Sequence, residues 1–136
     1  SLRDYFKLFV TNNLHFYTKA QIERNTICVL KAIETQPINI ITHLGVGMPV
    51  NVEEVAKLAR EKNVFIELNG KRIAFTRGDI DALMKYDTQF ILNSDAHRPE
   101  KVGDVRNGMN YVIKYNIPEK NIVNLGKRPN FRDIHY

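Results

Sequence analysis

Asp95 and His97 stand two residues apart, shortly after the short apolar run 89–92, from which Asn93 and Ser94 separate them. This run contains aromatic and β-branched residues without helical spacing, so we predict a buried strand there. On extended backbone, residues i and i+2 point to the same side, and we expect the carboxylate and the imidazole to converge just beyond the strand. Such a pair is typical of metal ligands. The alternative is an aspartate that caps the following loop and a histidine on the surface.

The positions of the other histidines favour the metal interpretation. Three of the four histidines are predicted to follow strands, and the fourth, His135, lies next to the C terminus, where we expect a surface position. Several neutral imidazoles and a carboxylate at one place are typical of sites for Zn²⁺, Mn²⁺ or Fe²⁺. For any single histidine, a hydrogen-bonded polar residue at the start of a loop is the competing explanation. The predicted metal ligands are His15, His43, Asp95 and His97.

Predicted strands and helices alternate along the chain and would position these residues. The predicted strands are 4–11, 38–42, 64–68, 89–92 and a last short segment, 122–125. Three predicted helices begin at N-capping residues, because Thr18, Asn51 and Thr76 are each followed three residues later by Gln, Glu or Asp. A further helix is predicted from the apolar spacing of Val105, Met109, Val112 and Ile113.

This alternation, with nearly continuous apolar strands, predicts a parallel sheet covered by helices and joined by right-handed crossovers. An open doubly wound sheet and part of a barrel both satisfy the pattern, and both place their chemistry at the carboxyl ends of the strands. A dinucleotide-binding domain is disfavoured, because Gly45-Val46-Gly47 lacks the third glycine of the phosphate-binding motif.

The composition is that of an ordinary globular protein. The chain has 136 residues, 43% hydrophobic and 26% charged, and we expect a single α/β domain spanning 1–136. No apolar run approaches the ~18 residues of a membrane-spanning helix, so no membrane association is predicted. One cysteine, Cys28, excludes an internal disulfide. We therefore expect a reducing, cytoplasmic compartment and a core position for this thiol.

Three segments of the chain resemble the PHP (polymerase and histidinol phosphatase) superfamily. They are 40–45 (Ile-Ile-Thr-His-Leu-Gly), 66–69 (Ile-Glu-Leu-Asn) and 93–97 (Asn-Ser-Asp-Ala-His). The run 95–103, Asp-Ala-His-Arg-Pro-Glu-Lys-Val-Gly, is similar to the same family. The likeness is to its small bacterial metal-dependent phosphatases, and it covers most of the chain.

The resemblance implies a distorted (β/α)7 barrel that holds up to three divalent metal ions, Zn, Mn or Fe. His43, Asp95 and His97 match metal ligands of the family, His15 matches another more loosely, and Glu67 matches a supporting acid at a strand end. Leu44 stands where the family usually has proline, which alters a loop and not a ligand. The N-terminal half of the family, with its further ligands, has no counterpart here. We therefore expect the C-terminal part of a PHP-type barrel.

The implied activity is metal-dependent hydrolysis of phosphate esters on a small phosphorylated substrate. A metal-bound water held by Asp95 and His97 would be the nucleophile, so no side-chain nucleophile is needed. Arg98, Arg72 and Lys71 would neutralise the substrate phosphate, although all three also suit solvated loop positions.

Two other functions stay open. A PHP-type exonuclease or polymerase-associated module would need a basic groove with stacking aromatic residues. The net charge is +5, but most aromatic residues lie in predicted strands, so a nucleic-acid partner is disfavoured. A catalytically inactive binding fragment is the second alternative. Half a barrel would leave unpaired sheet edges, so we expect either a missing N-terminal half or a second copy of the chain as a partner.

Overall fold

The computed structural model of the chain describes residues 17–131. The predicted strand at 4–11 and the predicted ligand His15 lie outside the described residues, and so does His135.

Four helices and three short strands alternate through this part of the chain. The helices are α1 (Lys19–Thr35), α2 (Val52–Glu61), α3 (Arg77–Lys85) and α4 (Arg106–Tyr115), and the strands are β1 (Ile40–Ile41), β2 (Phe65–Asn69) and β3 (Phe90–Asn93). Two short 3-10 turns, Pro99–Lys101 and Glu119–Asn121, flank α4.

The strands form one parallel sheet in the order β1-β2-β3. Ile41 lies opposite Ile66, and Leu68 and Asn69 lie opposite Leu92 and Asn93. The prediction of parallel strands with covering helices is therefore confirmed. That this sheet is part of a (β/α)7 barrel stays a prediction.

Three helices begin at the side chains that the sequence indicates. Thr18 accepts a hydrogen bond from the backbone N–H of Gln21, and Asn51 accepts from two backbone N–H groups of the first turn of α2. At α3, Thr76 and Asp79 each accept from the other's backbone, which completes a capping box. These caps satisfy N–H groups that have no partner inside the helix.

The face of the sheet that carries Ile66 and Leu68 packs against the helices. These two residues share one buried cluster with Ile33 of α1, Val55 of α2 and Leu83 of α3. A second buried set, from β3 and α4, completes the same cluster: Phe90, Leu92 and Val112. Burial of these apolar side chains is the main force that holds the helices on the sheet.

The α4 helix approaches the sheet closely at Gly108. A Cβ atom added there would lie 2.6 Å from Cδ2 of Leu92 and 2.9 Å from the carbonyl oxygen of Leu68. Both distances are shorter than a van der Waals contact, so only glycine fits between the helix and the sheet.

Some details of the predicted elements are wrong. Cys28 and Ile113 are exposed, because the buried faces of α1 and α4 are formed by other residues, among them Val29 and Val112. In the predicted strand 122–125, Ile122 makes only an isolated bridge to Phe90, and the chain then turns away. The predicted strand 38–42 is shortened to the two residues of β1.

Within residues 17–131, no helix has both the length and the apolar character that crossing a membrane requires.

Candidate functional site

Glu67, in the middle of β2, connects the ends of all three strands. Its side chain is buried, with 4% of the residue exposed. One carboxylate oxygen, Oε2, accepts hydrogen bonds from the backbone N–H of His43 and from Nδ2 of Asn69, each at 3.0 Å. The other, Oε1, accepts from Nδ2 of Asn93 at 3.1 Å. Three donors compensate for the loss of water around this acid, which is costly to bury alone.

Asn69, which is hydrogen-bonded to Glu67, also holds the turn after β2. Its Oδ1 atom accepts hydrogen bonds from the backbone N–H groups of Lys71 and Arg72, at 2.7 and 3.0 Å. Its carbonyl oxygen accepts from Nδ2 of Asn107 on α4 at 3.1 Å. The two basic residues therefore stand on a turn that is held by the same network as His43.

The loop after β3 lies against this turn at Gly70. A Cβ atom there would be 2.6 Å from the carbonyl oxygen of Asp104 and 2.8 Å from that of Ser94. The backbone N–H of Gly70 also donates to the carbonyl of Asn93 at 2.6 Å. A side chain at this position would push the loop that carries Asp95 and His97 away from the turn that carries Lys71.

Asp95 lies between two imidazoles at the carboxyl edge of the sheet. Its Oδ2 atom is 3.7 Å from Nε2 of His43, and its Oδ1 atom is 3.7 Å from Nδ1 of His97. The side chains of His43 and His97 are 42% and 69% exposed, so solvent reaches both rings. These three residues line one cavity of about 520 Å³, together with Val46, Lys71 and Arg72. The structure thus brings most of the predicted site residues to one place.

The backbone at two of these positions is unusual. His43 and Asp95 each have a φ of 50°, in the left-handed region. Three further non-glycine residues in the described part of the chain have positive φ, and they lie at the ends of α2, α3 and α4, where this conformation is common: Asn63, Asp87 and Asn116. His43 and Asp95 instead follow strands. Strained backbone that persists at a polar cavity is a feature of functional sites.

This conformation corrects the predicted route by which Asp95 and His97 meet. The expectation was an extended backbone with both side chains on one side. The strand ends at Asn93, and the left-handed turn at Asp95 brings the ring of His97 back so that Nδ1 lies 2.8 Å from the carbonyl oxygen of Asp95. The two residues lie close together because of a turn and not because of strand alternation.

Lys71 reaches into the same space. Its ammonium group contacts Nδ1 of His97 and lies 3.9 Å from Oδ2 of Asp95. Because an ammonium group only donates and a carbonyl oxygen only accepts, Nδ1 of His97 can hydrogen-bond to Lys71 or to the Asp95 carbonyl, but not to both at once. When Nδ1 donates to the carbonyl, Nε2 keeps its lone pair for a metal ion.

The donor types fit a divalent metal ion, whereas their present placement does not complete a site. Imidazole nitrogen and carboxylate oxygen are ligands that Zn²⁺, Mn²⁺ and Fe²⁺ accept. Within residues 17–131, however, no group of three or more His, Cys, Asp or Glu side chains is placed to hold an ion. Asp95 faces each histidine with a different oxygen, so the three residues form two neighbouring pairs and not one cluster.

The three basic residues predicted to bind phosphate are placed differently. Lys71 and Arg72 line the cavity, whereas Arg98 is exposed and does not line it.

Asp104, on the loop after β3, is paired with Arg106 and with Lys101. These two cations hold the pKa of the Asp104 carboxyl well below its usual value. Asp104 therefore remains charged at neutral pH and fastens the loop.

Sequence reasoning missed two features of this region. Asn69 and Asn93 had no assigned role, although Glu67 and Asn69 are two residues apart on one strand and therefore share a face. The parallel register, which places Asn69 beside Asn93, is the information that a single sequence does not contain. A second cavity beside the first, lined in part by Tyr17 and Tyr111, was also missed.

Comparison with known proteins shows similarity to proteins that are named probable phosphatases. No family model matches the chain. A protein named "Probable phosphatase" from Clostridium novyi is 29% identical over 120 residues, which cover 82% of this chain and 49% of the relative. Proteins named "Probable phosphatase" from Clostridium botulinum and Clostridium acetobutylicum are each 29% identical and cover 76% and 79% of this chain, and 46% and 48% of the relatives. The chain spans about half the length of the curated relatives it matches.

Proposed function

We propose that this chain is part of a metal-dependent phosphatase of the PHP type that hydrolyses small phosphate monoesters. The observation that carries the proposal is the cavity at the carboxyl edge, where Asp95 faces both His43 and His97 beside two cationic side chains. The similarity to proteins named probable phosphatases supports the reaction class. Two of the three sequence segments that resemble the PHP superfamily, 40–45 and 93–97, contain His43, Asp95 and His97.

In this proposal His43, Asp95 and His97 hold divalent metal ions, and the remaining ligands come from His15 or from the rest of a longer protein. The match to half the length of each relative supports an incomplete ligand set in this chain. A bound ion supplies Lewis acidity toward a phosphoryl oxygen and acidifies water. Glu67 accepts a hydrogen bond from the backbone N–H of His43, which holds the backbone of this residue in place before any ligand arrives.

Lys71 and Arg72 neutralise the phosphate of the substrate. The backbone N–H groups of both residues are fixed by Asn69, and both side chains line the cavity. In the described part of the chain, the guanidinium of Arg72 has no acidic partner at salt-bridge distance, so its charge is available to an anion. Lys71 would leave Asp95 and His97 when a phosphate group enters, because that group offers it stronger acceptors. Arg98, which is exposed, would act only at the rim.

The test is phosphate release by the full protein that contains this chain, after treatment with a chelator and readdition of Mn²⁺ or Zn²⁺. We expect release from p-nitrophenyl phosphate only with metal, and none from the Asp95→Ala variant. An oligonucleotide of thymidine offered under the same conditions should stay intact.

Three results would contradict the proposal. Phosphate release that persists in the presence of the chelator would show that the reaction does not depend on a metal ion. Cleavage of the oligonucleotide without release from the small ester would favour the exonuclease alternative. A protein that binds neither metal nor phosphate would be the inactive binding fragment.

A further inference from the structure

A second cavity adjoins the candidate site. Its volume is about 550 Å³, and it shares Val46, Lys71 and Arg72 with the cavity that Asp95 and the histidines line. Ligand sites for small molecules are typically about 300–1,000 Å³. The two cavities are therefore neighbours, with the basic turn after β2 at the boundary between them.

The second cavity presents aromatic rings and aliphatic groups. Tyr17 donates its hydroxyl to the carbonyl of Gly47 at 3.3 Å, and Tyr111 donates to the carbonyls of Ile73 and Phe75 at 3.3 and 3.4 Å. Because both hydroxyls are used by the protein backbone, the rings are what these tyrosines offer to a ligand. Ile73 and Ala74 add apolar surface, and none of the described residues that line this cavity is Asp or Glu.

The walls of the cavity are connected to the turn that carries the cations. Asn107 and Tyr111 lie one turn apart on α4, and they donate to the carbonyls of Asn69 and of Ile73 and Phe75. The helix thus fixes the segment after β2 at both ends. A ligand that touches the rings and the cations at once would meet a preformed surface, which reduces the entropy cost of binding.

We propose that this second cavity binds an aromatic leaving group of the phosphomonoester, while Lys71 and Arg72 hold its phosphate at the boundary. The inference rests on the proposed phosphatase function. In the hydrolysis, water forms the new bond to phosphorus, the bond to the aromatic alcohol breaks, and that alcohol leaves with a proton from the water. The rings of Tyr17 and Tyr111 contact the aromatic group, which favours aryl or heteroaryl esters over short aliphatic ones.

The experiment measures binding of three probes to the chain in the presence of a chelator, by isothermal titration calorimetry: inorganic phosphate, methyl phosphate and phenyl phosphate. We expect phenyl phosphate to bind roughly tenfold more tightly than methyl phosphate, from ring stacking and apolar burial. Tyr111→Leu and, separately, Tyr17→Leu should each reduce this ratio severalfold. Tyr17→Leu should leave the affinity for inorganic phosphate unchanged, because Tyr17 donates only to Gly47 and does not hold the turn that carries Lys71 and Arg72. Tyr17 lies before the first turn of α1, so its replacement leaves the core intact even where the Tyr111 variant does not fold.

Two variants serve as controls. Tyr115 lies on the same helix with its ring 5.3 Å from that of Tyr111, but it does not line the cavity. Tyr115→Leu should therefore keep the ratio of the wild type. Tyr111→Phe keeps the ring and loses the two hydrogen bonds, and it should retain most of the ratio.

The inference is overturned if phenyl and methyl phosphate bind equally, or if Tyr115→Leu or Tyr111→Phe lowers the ratio as much as Tyr111→Leu does. Failure of the proposed function has a different signature. In that case the double variant Lys71→Ala, Arg72→Ala binds all three probes as well as the wild type does.

Discussion

The two sides of β2 bury different kinds of side chain. Leu68 and its neighbours on the helix-covered side are apolar and fully buried, and they pack against all four helices. On the other side, Glu67 and Asn69 are equally buried, but they are polar and hydrogen-bond to the ends of the neighbouring strands. The first arrangement stabilises the fold. The second connects the backbone of His43 with Asn93, two residues before Asp95, by buried hydrogen bonds.

The largest expected effect is on the helix-covered side. Leu68→Ala removes a fully buried side chain and leaves a cavity between the sheet and α4. We expect the free energy of unfolding to fall by about 2–5 kcal/mol, as urea denaturation would measure. Metal and phosphate affinity of the molecules that remain folded should not change. A loss below about 1 kcal/mol would mean that this side is less tightly packed than described.

Gly108→Ala tests the close approach of α4. The added methyl group would overlap Leu92 and the carbonyl of Leu68, and we expect a loss of about 1–3 kcal/mol of unfolding free energy. Gly78→Ala is the matched control, since a Cβ there meets only Oγ1 of Thr76, at 3.8 Å. That variant should gain up to about 1 kcal/mol, because alanine favours helix over glycine. Equal effects at the two glycines would contradict the packing described for α4.

Glu67→Leu tests the polar side of β2, because it replaces the buried acid by an apolar side chain of similar size. Three donors, on His43, Asn69 and Asn93, would lose their acceptor, and we expect a loss of about 1–3 kcal/mol of unfolding free energy. Unlike Leu68→Ala, this change should also weaken metal affinity, which a chelator competition assay measures. Glu67→Gln, with one acceptor oxygen retained, should lie between the wild type and the leucine variant. A leucine variant with unchanged metal affinity would mean that the acid supports only the fold.

The smallest expected effect is the contribution of Asp104 to acid stability. Because its pKa is lowered by Arg106 and Lys101, the folded state keeps this carboxylate charged to lower pH than the unfolded state does. Its contribution is therefore complete above the unfolded pKa of about 4, and it is lost as the pH falls further toward the folded pKa. The free energies of unfolding of the wild type and of Asp104→Asn should differ at pH 6, and the difference should begin to shrink as the pH falls below about 4 and disappear only near the lowered folded pKa. If the difference in unfolding free energy between the two proteins grew as the pH fell, Asp104 would not stabilise the fold through its charged form.

Local rules explain why much of the fold could be predicted. The N-caps at Thr18, Asn51 and Thr76 depend on residues within one helical turn, and the apolar runs depend on their immediate neighbours. The same reasoning placed His43 and Asp95 after strands. Where two helical faces were both partly apolar, as around Cys28 and Ile113, the sequence alone did not decide which face is buried.

The site itself depends on contacts between distant segments. The hydrogen bonds of Glu67 join residues 24 and 26 positions away, and Tyr111 contacts carbonyls 36 and 38 positions away. Residue type predicts which groups can do chemistry, but the strand register and the turn at Asp95 decide how they meet. This is why candidate ligands can be named from residue type, whereas the tyrosine-lined cavity and the left-handed backbone could not be predicted. That the candidates bind metal stays a prediction.

The measurement that tests the central claim most directly is the affinity of the chain for Zn²⁺, determined by competition with a chromophoric chelator, for the wild type and two aspartate variants. Asp95 faces both imidazoles, whereas Asp81 is an exposed partner of Arg77 on α3. We predict that Asp95→Ala weakens binding by more than about tenfold and that Asp81→Ala leaves it unchanged. Equal affinity of the wild type and Asp95→Ala would contradict a metal site at the carboxyl edge of this sheet.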